Sequence, residues 1–520
     1  ISFIENEKEG GFYSPYSEWE ATGSLGNWLI THREGWKFEY KGSYLREITS
    51  PSNRSLIFEY DNKNISRVLQ NDRAFVELKY SSGGTVSEIS VNGEEFSIGY
   101  AKIQTSVLPE KSDLKTRTVE KTFLARITKG DIAIPQEYSY KNGFLCEIRN
   151  GQAVEQLAIQ NETLEQRTAY LKKSEGASKN DRKLVSQEVR AGRLLKDKYF
   201  DYSYAPDGTV TIRNAEGRNY SVAYNMQRGI AKVRDFSGLE KEYYYFRRND
   251  VAYNWKLRQV RDAKGRTVYN CQYDKDTGKP LVVKDMLGNE TAYTYDKNEK
   301  VILVSRSETD NPRRPLVSFK YDENRNPVEI EMLDKSGNPV SKTLLQYDRN
   351  SQVTSVETEE SNHQFQYNEF GYVTRSVDTF GRAVSREYDQ FNKLSSVTSA
   401  DGVCIAYAYS GSRLESIGKY SSADRKELLA SIRFSYDRDT GRLISFSDDK
   451  RRSNKFDRDA EGRVIAQYFP DDTSVKYTLD KMGRLEEVLD QNSHPIKFAY
   501  SAFGKIGERV TAVGQAASYK

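Results

Sequence analysis

Residues Phe434 to Leu443 read Phe-Ser-Tyr-Asp-Arg-Asp-Thr-Gly-Arg-Leu, and this stretch decides the fold. Phe434 and Tyr436 are two residues apart, so in a strand both rings point to the same face. The side chain of Asp437 can then hydrogen-bond the backbone that follows and start a turn, and Gly441 can adopt a positive φ. The stretch therefore predicts one strand, a tight turn and the start of a second strand, as in a β-hairpin.

The same pattern recurs along most of the chain, at intervals of mostly 20 to 23 residues. We call the residue that ends the first strand of each hairpin the anchor, and it is usually a tyrosine. The predicted anchors are Tyr40, Tyr60, Tyr80, Tyr100, Tyr204, Tyr224, Tyr273, Tyr295, Tyr321, Tyr347, Tyr367, Tyr388, Tyr409, Tyr436 and Tyr500, with Phe456 and Leu479 completing the series. The predicted turn glycines are Gly278, Gly288, Gly381, Gly441, Gly462 and Gly483.

A second turn follows the first after another short strand, as at Asp285 to Asn289 and at Asp378 to Arg382. Two strands and two turns in each unit make one hairpin per repeat. The strand after the first turn alternates less strictly, as in Arg484 to Val488. Either a β-bulge or packing on both faces would account for this, and both interpretations stay open.

The spacing predicts five segments. Residues 1–35 form an irregular lead-in, 36–150 hairpin repeats, 151–198 an irregular or partly helical insertion, 199–509 further repeats, and 510–520 a tail. The insertion is predicted because the tyrosine spacing fades there and strong helix formers are frequent.

Composition excludes several classes of protein. The chain has 36 tyrosines, and its 79 Lys and Arg nearly balance 75 Asp and Glu, with the two signs interspersed. We interpret the one local basic excess, Lys179 to Arg193, as a solvated segment, so no nucleic-acid partner is expected. No run of about 20 apolar residues is present, so no membrane span is expected either.

The residues that usually carry chemistry are scarce. Cys146, Cys271 and Cys404 lie too far apart for a paired framework, and Cys271 is predicted to be a small buried hydrophobic residue. The three histidines, His32, His363 and His494, form no metal-spaced cluster, and His363 is interpreted as a turn residue.

Two acidic pairs, Asp448-Asp449 and Asp471-Asp472, could suggest a glycosidase or a calcium site. They fall where hairpin turns are expected, so we interpret them as solvated turn carboxylates. The sequence therefore predicts no catalytic, cofactor-binding or metal-binding residue, no cofactor and no enzymatic activity.

The Tyr-Asp-x-x-Gly-Arg-Leu unit, followed by a glycine turn and a Tyr-x-Tyr strand, resembles the Rhs or YD repeat over roughly Trp36 to Arg509. That family includes bacterial Rhs polymorphic toxins, the C components of insecticidal toxin complexes and teneurin ectodomains. The resemblance implies an all-β array of antiparallel hairpins in one long spiralling sheet, forming a hollow shell or part of one. The aspartate of an Asp-Pro-x-Gly motif that cleaves some of these shells has no counterpart, because the chain has no Asp-Pro dipeptide.

Two functions are expected from these observations. The first is a structural β-shell segment of bacterial origin that encloses or displays cargo, or forms an extracellular surface structure. Its partners would be other segments or subunits of a larger YD-repeat assembly, a cargo polypeptide or a surface glycan. The alternative is a cell-surface module that binds carbohydrate or a partner protein through exposed aromatic rings. A continuous open strip of rings would favour binding, and rings buried between hairpins would favour a shell.

Overall fold

The computed structural model describes residues 4–5, 12–13, 19–24, 26–32, 35–51, 54–70, 73–107, 117–130, 132–141, 143–159, 193–205, 207–225, 227–246, 256–308, 311–502 and 504–519. Over these residues the protein is all-β, without a helix. In this part of the chain, accordingly, no helix meets the length and apolarity needed to cross a membrane.

The strands form two sheets. The first contains β1 Ile4–Glu5, β2 Phe12–Tyr13, β3 Trp19–Ser24, β4 Asn27–His32, β5 Lys37–Lys41, β6 Tyr44–Thr49, β7 Ser55–Asp61, β8 Asn64–Gln70, β9 Arg73–Tyr80, β10 Val86–Val91, β11 Glu94–Val107, β12 Arg117–Lys129, β13 Gln136–Lys141, β14 Phe144–Asn150 and β15 Ala153–Gln156.

The second sheet contains β16 Ala158–Ile159, β17 Leu194–Lys196, β18 Phe200–Tyr204, β19 Val210–Asn214, β20 Asn219–Asn225, β21 Ile230–Arg234, β22 Glu240–Tyr245, β23 Leu257–Asp262, β24 Thr267–Tyr273, β25 Pro280–Asp285, β26 Glu290–Tyr295, β27 Val301–Glu308, β28 Asn311–Tyr321, β29 Pro327–Leu333, β30 Pro339–Tyr347 and β31 Val353–Glu357. It continues with β32 Asn362–Tyr367, β33 Val373–Val377, β34 Ala383–Tyr388, β35 Leu394–Thr398, β36 Cys404–Ser410, β37 Arg413–Tyr420, β38 Leu428–Tyr436, β39 Leu443–Asp448, β40 Ser453–Arg458, β41 Val464–Tyr468, β42 Ser474–Leu479, β43 Leu485–Leu489, β44 Pro495–Tyr500, β45 Ile506–Val510 and β46 Ala516–Ser518.

Within each sheet the strands are hydrogen-bonded in the order of the sequence, without a crossover. The array of antiparallel hairpins predicted from the repeat is therefore confirmed. The single long sheet is divided in two, because β15 pairs with β14 whereas β16 pairs with β17, where Ala158 faces Lys196.

A β-bulge follows most first turns. Tyr388 faces Leu394 and Glu387 faces Ser396, which leaves Ser395 as an extra residue in β35. At Leu479 the same shift makes Glu486 the extra residue of β43. Of the two interpretations of the irregular second strand, the bulge is thus the one observed. It lets the anchor end one strand while the next strand keeps its apolar residues on the same face.

The bulges correct three anchor assignments. Arg458, not Phe456, ends β40 at the bulge and precedes the turn, so the aromatic rule selected a residue two positions early. Tyr140 holds an anchor position that was not predicted, although it lies 40 residues after Tyr100 and so fits the twenty-residue spacing. Tyr100 lies within the long strand β11 and has 40% of its surface exposed, so no turn follows it.

The predicted segment limits compare with the strands as follows. Residues 1–35, expected to be irregular, contain β1 to β4, and β4 pairs with β5. Two glycines of this segment, Gly23 and Gly26, have positive φ at the hairpin between β3 and β4. Most of the predicted insertion, 160–192, lies outside the described residues, including all of the basic segment except Arg193. The tail contains β46.

The chain divides into two compact units. Unit 1 comprises residues 1–94 and 244–431, and unit 2 comprises 95–243 and 432–520. Few side chains are fully buried, as expected of sheets whose faces are covered mainly by neighbouring hairpins. Cys271 and Cys404 are among them, at 3% and 1% exposure, so the prediction that Cys271 is a small buried hydrophobic residue is confirmed.

Candidate functional site

The anchors form a repeated hydrogen-bond pattern that joins each repeat to the one before it. The hydroxyl of Tyr388 donates to the carbonyl of Val373 at 2.8 Å, and Val373 is the residue that faces the preceding anchor, Tyr367. Tyr409 in turn donates to Leu394, which faces Tyr388. The same bond joins Tyr60 to Leu45, Tyr80 to Ile65, Tyr273 to Leu257, Tyr295 to Pro280, Tyr321 to Val301, Tyr347 to Pro327, Tyr367 to Val353 and Tyr500 to Leu485.

Burial favours the protonated form of several of these hydroxyls. It raises the pKa of Tyr295 to about 12, and it raises the pKa of Tyr321, Tyr347 and Tyr367 above the usual range. The rings are half-buried between hairpins, except those of Tyr100 and Tyr224. Each ring therefore covers the sheet face while its hydroxyl donates to a carbonyl next to a bulge.

Two late repeats in unit 2 lack an anchor tyrosine. Arg458 replaces it with charge-assisted bonds, donating from Nε to the carbonyl of Leu443 at 3.0 Å and from Nη1 to Gly462 at 2.8 Å. Leu443 faces the preceding anchor, Tyr436, so the acceptor position is unchanged. At Leu479 the side chain has no donor, so this repeat lacks the side-chain bond and is joined by the backbone ladder, in which Leu479 faces Leu485.

Many of the first turns are built on an aspartate or asparagine that follows the anchor. In the turn Asp389 to Lys393, Asp389 Oδ1 accepts the backbone N–H groups of Phe391 and Lys393 at 2.8 and 2.9 Å. In Asp480 to Arg484 the guanidinium of Arg484 also donates to Asp480, from Nε at 2.8 Å. Burial opposes ionisation of Asp480, but these hydrogen bonds outweigh it and its pKa is lowered.

The predicted turn glycines all have positive φ, between 65 and 88°. Gly278 and Gly441 lie in turns one residue longer, in which a threonine shares the aspartate. Their contribution to the stability of the array stays a prediction. Several repeats place another residue in the left-handed conformation of this turn position, including Glu299 at 61° and Ser351 at 56°.

The last residue of a first turn reaches the next first turn, which the sequence analysis missed. Gln352 Nε2 donates to the carbonyl of Gly371 at 3.3 Å, and Arg442 Nη2 donates to that of Glu461 at 3.0 Å. Lys393 donates likewise to Gly411. The sequence feature that could have indicated these bonds is the Lys, Arg or Gln that ends many of the first turns, just before the second strand.

In unit 1, first turns of late repeats contact early hairpins, and we call this contact the unit 1 seam. The guanidinium of Arg54 occupies the space that a side chain on Gly371 would fill. The guanidinium of Arg73 lies over the ring of Phe370, 5.7 Å from its centroid. In the next turn the ring of Phe391 occupies the space beside Gly93, which excludes any larger residue there.

In unit 2 the corresponding contact, the unit 2 seam, is ionic. Lys198 Nζ lies 2.6 Å from Glu461 Oε1, and Arg484 pairs with Glu216. The hydrogen bond from Lys198 lowers the pKa of Glu461. A backbone hydrogen bond of 3.0 Å from Ile134 N to Asp439 O joins the same early and late parts.

The structure brings no catalytic constellation together among the residues described. His32 lies in β4 beside Trp19, and His494 lies in a turn with its Nδ1 3.6 Å from Asp490 Oδ2. His363, predicted to be a turn residue, is in β32 and faces Val356, because the strand begins two residues earlier than the predicted start at Gln364.

The acidic residues of the two predicted pairs lie in turns, where Asp448 and Asp471 accept hydrogen bonds. Asp448 accepts two backbone N–H groups and the guanidinium of Arg452, and Asp471 accepts from Thr473. No three His, Cys, Asp or Glu side chains in the described ranges come together as a group that could hold a metal ion.

Comparison with known proteins gives structural matches only. No family model and no curated protein matches the chain. A crystal structure of TcdB2-TccC3 is 12% identical over 95% of this chain and 34% of its own, with a TM-score of 0.34. The Tc holotoxin pore of Photorhabdus luminescens, with a TccC3 mutation, is 12% identical over 88% of this chain and 29% of its own, with a TM-score of 0.33. The chain thus spans about a third of the length of these structures.

Proposed function

We propose that this chain is a structural segment of a β-shell, in which the continuous hairpin wall is itself the function. The observation that carries the proposal is the anchor bond, which joins most repeats to their predecessors and so supports a continuous wall. Stacked repeats leave open strand edges only at the ends of each sheet, which suits a large enclosing surface.

The shell would enclose or display cargo, or form an extracellular surface structure of a bacterium. Its partners would be other segments or subunits of a larger YD-repeat assembly, together with a cargo polypeptide or a surface glycan. The repeat itself supports this proposal through its resemblance to YD shells. The balanced charge supports the absence of a nucleic-acid partner.

The half-buried anchors favour a shell over a carbohydrate-binding or protein-binding module. Strongly exposed rings occur in widely separated parts of the chain, such as Trp36 at 40%, Phe380 at 80% and Tyr519 at 54% exposure, rather than in one strip along the anchors. The assignment of aspartates to turns supports a function without catalysis, since their oxygens already accept backbone hydrogen bonds.

Deleting repeats tests whether continuity of the wall is the function. Removing the whole unit Asn368 to Tyr388 places the anchor Tyr367 directly before the turn that begins at Asp389. Phe391 then takes the position of Phe370. Removing only Asn368 to Val377 reverses the direction of every later strand. We expect the whole-unit deletion to stay soluble and resistant to protease, and the half-unit deletion to aggregate or be cleaved rapidly. Equal behaviour of the two deletions would contradict the modular wall.

The shape of the particle tests the shell directly. Negative-stain electron microscopy of the purified chain, alone and with any co-purifying subunit, should show a closed hollow body or a curved wall. A flat open sheet or a filament with an exposed aromatic strip would favour the binding module instead.

A further inference from the structure

Two arginines of unit 1 face each other on neighbouring strands. Arg306 of β27 lies directly opposite Arg314 of β28. Opposed residues of an antiparallel pair place their Cβ atoms about 4.5–5.5 Å apart, so like charges there repel each other. Opposed charges in several other repeats have opposite signs, as in Lys79 with Glu88 at 2.6 Å and Lys320 with Glu329 at 2.5 Å, whereas Glu39 faces Glu47.

The chain does not neutralise this pair well within the described residues. Arg306 Nε is buried and makes no hydrogen bond. The nearest acidic oxygen to Arg314 is Glu308 Oε1, at 3.9 Å, the outer limit of an ion pair. Asp285 is near enough to Arg306 for their charges to interact. Both carboxylate oxygens of Asp285, however, already accept hydrogen bonds from Leu287 and Asn289 of its own turn.

A hydroxyl completes the arrangement. Thr291 of β26 faces Arg306 from the other side, so Thr291, Arg306 and Arg314 follow one another across three neighbouring strands. Two guanidinium groups and a hydroxyl are the donors that typically hold a carboxylate or phosphate group, because guanidinium forks match the spacing of its oxygens.

We propose that Arg306 and Arg314, with Thr291, form a binding site for an oxyanion, either a phosphate or the carboxylate of a small acid. A bound anion turns the repulsion between the two guanidinium groups into two attractions and gives Arg306 Nε an acceptor. The site stands apart from the anchors and from both seams, and it is independent of whether the wall encloses cargo.

Isothermal titration calorimetry tests the site, using inorganic phosphate and, in a separate arm, glucuronate, each in chloride buffer of constant ionic strength. Arg306→Gln and Arg314→Gln should weaken binding about ten-fold or more, because each removes a charged hydrogen-bond donor. Arg313→Gln is the matched control, since Arg313 points away and pairs with Glu290 at 3.1 Å. Binding of only one probe identifies the class of anion.

A gain-of-stability variant keeps the proposal testable if the first variants fold poorly. Arg314→Glu places an acid opposite Arg306, so it should raise the melting temperature in anion-free buffer and abolish binding of the probe. The proposal is overturned if neither probe binds the natural chain, if Arg313→Gln weakens binding as much, or if Arg314→Glu lowers the melting temperature.

Discussion

The two units hold their late turns against early hairpins with different chemistry. The unit 1 seam packs Arg54 against the backbone at Gly371 and places Arg73 over the ring of Phe370. The unit 2 seam uses Lys198 with Glu461 and Arg484 with Glu216, whose side chains are 24–38% exposed. Contacts of the first kind depend on shape, and those of the second are screened by salt. The same kind of repeat can therefore be held against another part of its unit by contacts that depend on shape or by ion pairs, without a change in its hairpins.

The sequence supplies a way to observe the units separately. All four tryptophans, Trp19, Trp28, Trp36 and Trp255, fall within the residue ranges of unit 1. Tryptophan fluorescence therefore follows unit 1 alone, and hydrogen exchange followed by mass spectrometry of unit 2 peptides follows the other unit.

The largest effect is expected within a repeat of unit 1 rather than at a seam. Tyr367→Ala removes a half-buried ring and its bond of 2.6 Å to Val353 O, and it should lower the free energy of unfolding by about 2–4 kcal/mol. Tyr367→Phe keeps the ring and should cost about 1 kcal/mol. Urea unfolding followed by tryptophan fluorescence measures both.

Glu369→Ala, in the turn after Tyr367, is the control and should change the free energy by less than about 0.5 kcal/mol. Equal small effects at the two positions would show that the buried face of the sheet has been assigned wrongly. A matching loss of protection in unit 2 would show that the units do not unfold separately.

The next effect isolates the unit 1 seam. Gly371 and Gly381 both have positive φ, at 86° and 75°, so alanine at either position costs about 1–2 kcal/mol. Only Gly371 has Arg54 in the space that the new methyl group needs, whereas Gly381 has nothing within 4 Å. Gly371→Ala should therefore be the more destabilising of the two, as measured by urea unfolding. Identical costs would mean that Arg54 moves away freely and contributes nothing to the seam.

A smaller effect isolates the unit 2 seam. Lys198→Glu places a second acid beside Glu461 and should cost about 1 kcal/mol, since the pair is only partly buried. The double exchange Lys198→Glu with Glu461→Lys should recover only part of that loss. Recovery is incomplete because the lysine at position 461 then lies near Arg463, which repels it. Hydrogen exchange of unit 2 peptides at low and at high NaCl measures it, and salt should weaken both the natural pair and the exchanged pair but not destabilise Lys198→Glu further. Salt sensitivity of the unit 1 fluorescence transition would contradict the comparison.

The smallest effect is the response of the seams to acid. The hydrogen bond from Lys198 lowers the pKa of Glu461 below its ordinary value of 4.5. Its stabilisation is therefore complete above about pH 4.5 and is lost as the pH falls through the lower folded pKa. Turn aspartates of both units respond in the same direction, so the comparison needs Lys198→Gln. That variant should lose the extra acid sensitivity of unit 2 and leave unit 1 unchanged in hydrogen exchange.

The hairpins were predictable because their signals are local. An apolar residue two positions before the anchor fixes the strand face, and an aspartate followed by a residue in the left-handed conformation fixes the turn. The misassigned anchor, Phe456, shows that aromatic residues alone do not identify every anchor. The sequence Asp459 to Gly462 marks Arg458 as the residue before the turn, and a guanidinium can donate to the same carbonyl as a tyrosine hydroxyl.

The seams could not be predicted from the sequence. Lys198 and Glu461 are 263 residues apart, and neither is distinguished from the many charged turn residues around it. Gly371 and Phe391 look like ordinary turn residues, and only the neighbouring hairpins give them a role. Position within the folded array, rather than residue type, decides which turns contact another part of the unit.

The direction of the anchor bond has a consequence for how the chain is made. The tyrosine anchors that form this bond donate to a carbonyl 10 to 20 residues before them, as Tyr204 does to Leu194 and Tyr347 does to Pro327. When a new tyrosine leaves the ribosome, its acceptor has therefore already been synthesised and paired. The wall can grow from its first hairpin toward its last at the pace of translation, with short-range contacts only. The seams, which need both an early and a late part of a unit, form last. They can form only if the array between those parts has the right number of repeats.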